Sequence, residues 1–152
     1  MAAGAPTLHA SAVLVGPKAV LIRGVSGSGK SLLAWQLLHS ARRHGAAGFV
    51  RLVGDDRVHV EASSGRLLVR ANPALAGLIE MRGLGIRRLD YEPLAVVGLI
   101  VDLGAADGER LPQPGANHVD IEGVTLPRLA VAAGANALQM IHAFLGTAAG
   151  VS

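Results

Sequence analysis

The sequence predicts an α/β domain built on a mixed sheet. Hydrophobic residues make up 51% of the 152-residue chain and aromatics only 3%, so the core is aliphatic. Short apolar runs recur at strand length, divided by Gly, Pro, Asn and Ser turns. One early segment changes to helical periodicity before strands resume, which places a crossover helix on one face of a sheet that later closes by hairpins. The length suits one domain, and neither an internal repeat nor a linker interrupts it, so residues 1–152 read as a single unit.

Each element follows from local pattern. Ser11–Val15 and Ala19–Arg23 are two short strands around a Gly16-Pro17 turn. A glycine-rich stretch follows, and "LLAWQLLHSARRHG" reads as a helix whose last turn carries Arg42, Arg43 and His44, with Gly45 in the stop position. "GFVRLVGDD" is a buried strand ending in two carboxylates. "RVHVEASSGRLLVR" alternates around "SSG" as a hairpin does. After Asn72-Pro73 comes a short helix or turn, then the stretch "GLIEMRGLGI", Gly77–Ile86. Leu94–Gly104 is a continuous apolar run, hence a buried strand, and "AADGERLPQPGANH" is loop. "VDIEGVTLPRLAV" makes one or two further strands, and Asn136–Leu145 a terminal helix.

Composition excludes several classes. With no cysteine there is neither a disulfide framework nor a thiolate metal site. No apolar run approaches membrane-spanning length, and "MAAGAPTLHA" has neither the basic start nor the apolar stretch of a secretory signal. The expectation is a cytoplasmic protein without membrane contact. The net charge is +3, but its arginines are dispersed, with Arg42–Arg43 and Arg87–Arg88 the adjacent pairs. Aromatics to stack on bases are scarce, so nucleic acid is not the expected partner.

Gly24-Val25-Ser26-Gly27-Ser28-Gly29-Lys30-Ser31 has the P-loop spacing, and its context fits: an apolar strand enters and an amphipathic helix leaves. Glycines let successive N–H groups converge on an anion, and the helix N-terminus adds favourable partial charge. Lys30 is placed to reach the β- and γ-phosphates and Ser31 to ligate Mg²⁺. The ligand class is a nucleoside triphosphate, with ATP and Mg²⁺ the implied pair.

A P-loop protein also places an acid at the end of a neighbouring strand. Two candidates fit. Asp102 ends "VGLIVD", with four apolar residues in the preceding five, and matches the generic pattern better. Asp55-Asp56 ends "FVRLVGDD", and paired carboxylates beside phosphate can divide metal binding from proton transfer. The doublet also fits a solvated turn before a hairpin.

Taken together, "LHASAVLVGPKAVLIRGVSGSGKS", "RLVGDDRVHV" and "GLIEMRGLGI" resemble the catalytic domain of the HPr kinase/phosphorylases, from about His9 to the last helix. The resemblance implies the P-loop nucleotide-binding fold shared with phosphoenolpyruvate carboxykinases, and a protein-serine kinase acting on the phosphocarrier HPr. It implies Glu80 as a Mg²⁺ ligand beside Ser31, Arg82 on phosphate, and Gly83 and Gly85 for close approach. It makes Asp56 the general base, His9 its partner, and Arg110, in "GERLP", a second phosphate arginine. It also implies a homo-oligomer, a hexamer in the family.

Three departures carry expectations. The family's separate N-terminal domain is expected to be absent, because the catalytic unit begins almost at residue 1. In Ala130–Gln139, "AVAAGANALQ", Gly134 and Asn136 remain but alanines stand where the family has the arginines of a basic segment tied to the reverse, phosphorolytic reaction, so a kinase with weak or absent phosphorylase activity is expected. The chain stops soon after "MIHAFLG", short of the family's longer C-terminal helices. Two other classes stay open: a small-molecule kinase using Asp102 with Arg82, Arg87 and Arg88 in a lid loop, and a nucleotide-binding sensor, for which a general base is unnecessary.

Overall fold

The frame is an antiparallel pair, β2 (Ala10–Val15) and β3 (Lys18–Arg23), folded on each other with Val15 opposite Lys18. The two-residue turn needs a positive φ at its first position, which Gly16 supplies at 64° while proline holds the second negative. The computed structural model describes residues 6–40, 49–109 and 111–147. The remaining strands and helices are β1 (Thr7–Leu8), α1 (Lys30–Ser40), β4 (Val50–Gly54), β5 (Val58–Ser63), β6 (Arg66–Ala71), β7 (Leu78–Met81), β8 (Gly85–Arg88), β9 (Ala95–Leu103), β10 (His118–Ile121), β11 (Val124–Val131) and α2 (Ala137–Gly146). A short 3-10 turn at Pro73–Leu75 is capped by the Asn72 side chain, which accepts from Ala74 N–H at 3.0 Å.

Among the described residues nine strands share one mixed sheet, with the path β1-β5-β6-β9-β3-β2-β4. Strand β9 joins three ladders. Its first residues, Ala95 and Val96, pair antiparallel with β6, Val97–Asp102 pair parallel with β3, and Ile100–Leu103 pair parallel with β11. Because β4 is antiparallel to β2 and β2 to β3, strand β4 runs the same way as β3. Thus β3, β4, β9 and β11 all point their carboxyl ends to one edge, the edge where open α/β sheets bind ligands. The ribbon β7–β8 is a separate antiparallel pair with Glu80 opposite Ile86.

Alternation along the strands divides the core into two layers. Ala10, Ala12 and Leu14 of β2 enter one, with Val58, Val60, Leu67 and Val69. Val13 and Val15 enter the other, with Leu33, Ala34 and Leu37 of α1. Strand β9 serves both layers by changing phase. Ala95 and Val97 face the first and Leu99 and Val101 the second, because the register slips at Gly98, opposite the Ala19–Val20 step. That bulge accounts for a seven-residue run without polar alternation, Ala95–Val101, before Asp102.

The sequence and the structure differ at two places. Helix α1 begins at Lys30, two residues before the expected start, because Leu33 N–H already bonds the Gly29 carbonyl at 3.0 Å. Its predicted last turn, Arg42 to Gly45, lies outside the described residues. The "GLIEMRGLGI" stretch is not a loop but most of a hairpin, and Arg87 and Arg88 lie on its second strand, so the three arginines do not form a lid loop.

Leu37 is fully buried between α1 and the sheet. Leu37→Ala is expected to cost about 2–5 kcal/mol, read as a lowered urea midpoint, and to loosen the helix that the P-loop enters.

Candidate active site

Gly27 (φ 82°) and Gly29 (φ 97°) give the P-loop its left-handed turns, and Ser28 N–H closes it on the Val25 carbonyl at 3.0 Å. Gly24 is required for a different reason: a Cβ there would collide with the Ser28 hydroxyl. Lys30 is nearly buried, and its ammonium donates to the carbonyls of Gly24 (2.8 Å) and Val25 (3.2 Å). The loop's own carbonyl oxygens therefore hold this ammonium.

The doublet at the end of β4 splits into two environments. Asp55 is 4% exposed. Its carboxylate accepts from Ser11 Oγ at 2.6 Å, from Ser31 Oγ at 2.8 and 2.9 Å, and from Glu80 N–H at 3.2 Å. A buried carboxylate needs such donors, and these come from three separate elements. Asp56 is turned outward. Its φ is 68°, and Arg57 N–H bonds the Asp55 carbonyl across it at 2.7 Å, the hydrogen-bond pattern and φ sign of the rarer, strained γ-turn. Asp56 N–H reaches the Ser11 hydroxyl at 3.4 Å, and Ala10 N–H holds its carbonyl at 3.1 Å. His9 Nε2 lies 2.7 Å from Asp56 Oδ1, and because an ionised carboxylate only accepts, the imidazole N–H donates.

These groups border one open cavity of about 680 Å³. Ser26, Gly27, Gly29, Lys30 and Ser31 line it from the P-loop, Asp56 from the β4 turn, and Glu80, Arg82, Gly83 and Gly85 from the ribbon. The ribbon glycines have φ of 83° and 94°, and a Cβ on either would meet nothing within 4 Å. They are required by backbone conformation rather than by close packing within the chain. Arg82 belongs to the cavity lining and Arg87 and Arg88 do not. Arg110 lies outside the described residues. Gly24, Val25 and Ser28 do not line the cavity.

The residues fit a hard divalent cation. Ser31 offers a hydroxyl and Glu80 a carboxylate on the same cavity wall. Asp55 takes the Ser31 hydrogen, which leaves that oxygen's lone pairs for a metal. Among the described residues no three His, Asp or Glu side chains form a metal cage. Mg²⁺ is commonly held by one or two protein oxygens, with phosphates and water completing its shell.

Asp102 is committed elsewhere. Arg23 grips it through Nε (2.7 Å) and Nη2 (2.8 Å), and Arg128 Nε adds a third bond at 2.6 Å. Burial raises its pKa, but the hydrogen bonds and charges of Arg23 and Arg128 outweigh this and hold it below the ordinary 3.8. A doubly paired carboxylate is not free to organise a metal, so the reading that gave Asp102 that work is corrected. Sequence reasoning named Asp55 without giving it a role, and it missed Ser11, Arg23 and Arg128. A hydroxyl at a position of β2 that faces α1 was the available signal for Ser11. Long-range register was needed for the arginines.

Residues 2–91 match the family described as HPr Serine kinase C-terminal domain, well over half of the chain. The chain belongs to this family. It is 34% identical over 137 residues to the HPr kinase/phosphorylase of Limosilactobacillus reuteri, covering 82% of this chain and 40% of that protein. It is 40% identical over 79 residues to the Clostridium beijerinckii HPr kinase/phosphorylase, covering 52% of this chain and 24% of that one. The chain therefore spans less than half the length of these curated relatives. Its fold matches the solved Hpr(Ser) kinase/phosphatase from Coxiella burnetii with a TM-score of 0.70, over 90% of this chain and 86% of that chain, at 22% identity. The α/β architecture with a mixed sheet is thus the fold of the family.

The ion pairs predict a pH signature. Asp102 has a folded pKa below its unfolded value, so the stability it contributes is present above about 4 and lost as pH falls through the folded value. The gap in urea midpoint between wild type and Asp102→Asn should stay constant from pH 8 to about 5 and shrink below the ordinary 3.8.

Proposed function

We propose that residues 1–152 form a catalytic domain that transfers the γ-phosphoryl group of ATP to a serine of an HPr-type phosphocarrier protein. The observation that carries this reading is the convergence, on one cavity, of the P-loop groups Lys30 and Ser31 with the outward-turned Asp56 and the ribbon residues Glu80 and Arg82. Family membership supports HPr as the acceptor.

In this reading Asp56 takes the proton of the acceptor hydroxyl as its oxygen bonds to the γ-phosphorus, and the bond from that phosphorus to the bridging oxygen breaks to release ADP. His9 orients the carboxylate through its 2.7 Å hydrogen bond. Lys30 and Arg82 offset charge on the phosphoryl oxygens, and backbone N–H groups of Gly27 to Ser31 cradle the phosphates. Mg²⁺, held by Ser31 and Glu80, would neutralise the β- and γ-phosphate oxygens. Arg110 joins the site by family resemblance. Assembly into a homo-oligomer and a cytoplasmic setting belong to the same proposal; no helix among the described residues is long and apolar enough to cross a membrane.

The sensor alternative gives Asp56 no work, yet the chain places this aspartate at positive φ on the cavity wall with a histidine partner. The small-molecule kinase reading loses its acid, because Asp102 is bound by two arginines.

Transfer of label from γ-labelled ATP to HPr of the same organism tests the proposal. Asp56→Asn should reduce the rate about 100-fold or more while ATP affinity changes less than about twofold. Asparagine tolerates left-handed φ, so the backbone is not the cause of the loss. Nucleotide bound without transfer in wild type would favour the sensor instead.

Phosphorylase activity is proposed to be weak or absent. Holding inorganic phosphate beside a phosphoester needs added positive charge, and Ala130–Gln139 contains no basic residue. Incubation of phosphorylated HPr with phosphate should yield little pyrophosphate, and a rate comparable to the forward reaction would refute this part.

A further inference from the structure

A four-member chain of charges runs along the ligand-binding edge beside the P-loop and takes no part in the mechanism above. Arg23, the last residue of β3, is followed directly by Gly24. It holds Asp102 through two bonds, in register across β3 and β9. Arg128 of β11 shares Asp102 Oδ2 with Arg23, donating to it through Nε at 2.6 Å. Its two terminal nitrogens hold Asp107 at 2.7 and 3.0 Å, and Nη1 also donates to the Ala116 carbonyl at 3.0 Å. Arg128 thereby ties both limbs of the loop after β9 to the end of the P-loop strand.

The surrounding packing is close. A Cβ on Gly24 would lie 3.2 Å from that of Leu103, so the root of the loop abuts the first P-loop glycine. A Cβ on Gly108 would strike the backbone of Ala132, so the same loop is clamped against the end of β11. Arg128 is 14% exposed and Asp102 16%. Apolar side chains could hold such partly buried strands as stably as paired charges do. What bidentate guanidinium–carboxylate pairs add is fixed geometry.

We infer that Arg128 is a positioning residue for the phosphate cradle: with Asp102 it forms a strut that fixes the strand end from which Gly24 leaves. This rests on the reading of the cavity as a nucleotide site. The strut acts through Arg23 and Leu103, and it touches no substrate itself. Asp107 is its outer anchor.

The test titrates the full chain with Mg·ATP by calorimetry and follows hydrogen exchange of the peptide Arg23–Ser31 without nucleotide. Arg128→Gln should weaken binding about tenfold, and Asp107→Asn, a surface change that leaves Asp102 paired, about threefold. Val60→Ala, in the core layer away from α1, is the control for stability alone. It should lower Tm and leave affinity unchanged. Exchange of Arg23–Ser31 should quicken in both strut variants and not in the control.

Wild-type affinity in Arg128→Gln, or a loss in Val60→Ala matching its Tm loss, overturns the inference. If Arg128→Gln does not fold, Asp107→Asn decides by the same two readouts. If wild type binds no Mg·ATP, the nucleotide reading fails. Exchange then judges the strut: faster exchange in the variants supports it, and unchanged exchange overturns it.

Discussion

The Asp55 carboxylate is the constraint on which the rest of this site depends. A buried anion is tolerated only when donors replace the water it loses. Here they arrive from the start of β2 (Ser11), the first turn of α1 (Ser31) and the backbone of β7 (Glu80). Each element has another reason to be where it is: β2 pairs with β3 and β4, α1 packs on the second core layer, and β7 buries Ile79 in that layer. The carboxylate converts those packing solutions into one local geometry. With Asp55 drawn inward by its donors, the next residue has to leave the strand sharply, and Asp56 does so at φ 68° toward the cavity. The strain at Asp56 thus has its counterweight one residue earlier.

The two strands that could have supplied the acid use their carboxylates in opposite ways. Asp102 and Asp55 stand on opposite sides of β3 in the sheet order, with β2 between β3 and β4. Asp102 is gripped by two guanidinium groups, and Asp55 is neutralised by hydroxyl and amide donors without a formal cation. Under the proposed function both arrangements suit a polyphosphate ligand, since a free carboxylate beside it would repel that ligand. The exposed negative charges that remain on its wall are Asp56 and Glu80, one facing a histidine and the other available to a cation.

Local pattern carried most of the fold. The hairpin at Ser64-Gly65 was legible as a turn, whereas the segment around Glu122-Gly123 read only as one or two strands; both pairs adopt positive φ, as tight two-residue connections require. The P-loop was legible because its chemistry lies within eight consecutive residues whose spacing is set by one backbone shape. The ribbon was harder. Met81 and Gly85 pair across the "RGL" turn, but a run with three glycines and two charges has no clean period of two. The phase change at Gly98 was invisible for a related reason: an apolar run reads the same whether it serves one core layer or two.

What the sequence alone determined is whatever depends on neighbours along the chain: the strand and helix succession, the glycine-rich loop between β3 and α1, and the presence of a carboxylate pair at a strand end. What only the tertiary structure decided is the division of labour among the acids. Asp55, Asp56 and Asp102 all end apolar strands, and nothing within a few residues of any of them names its partner. Those partners, Ser11, His9, Arg23 and Arg128, lie 44, 47, 79 and 26 residues away. Sheet register brings them into reach, and register is fixed by the burial of whole strand faces rather than by the charged residues it happens to join.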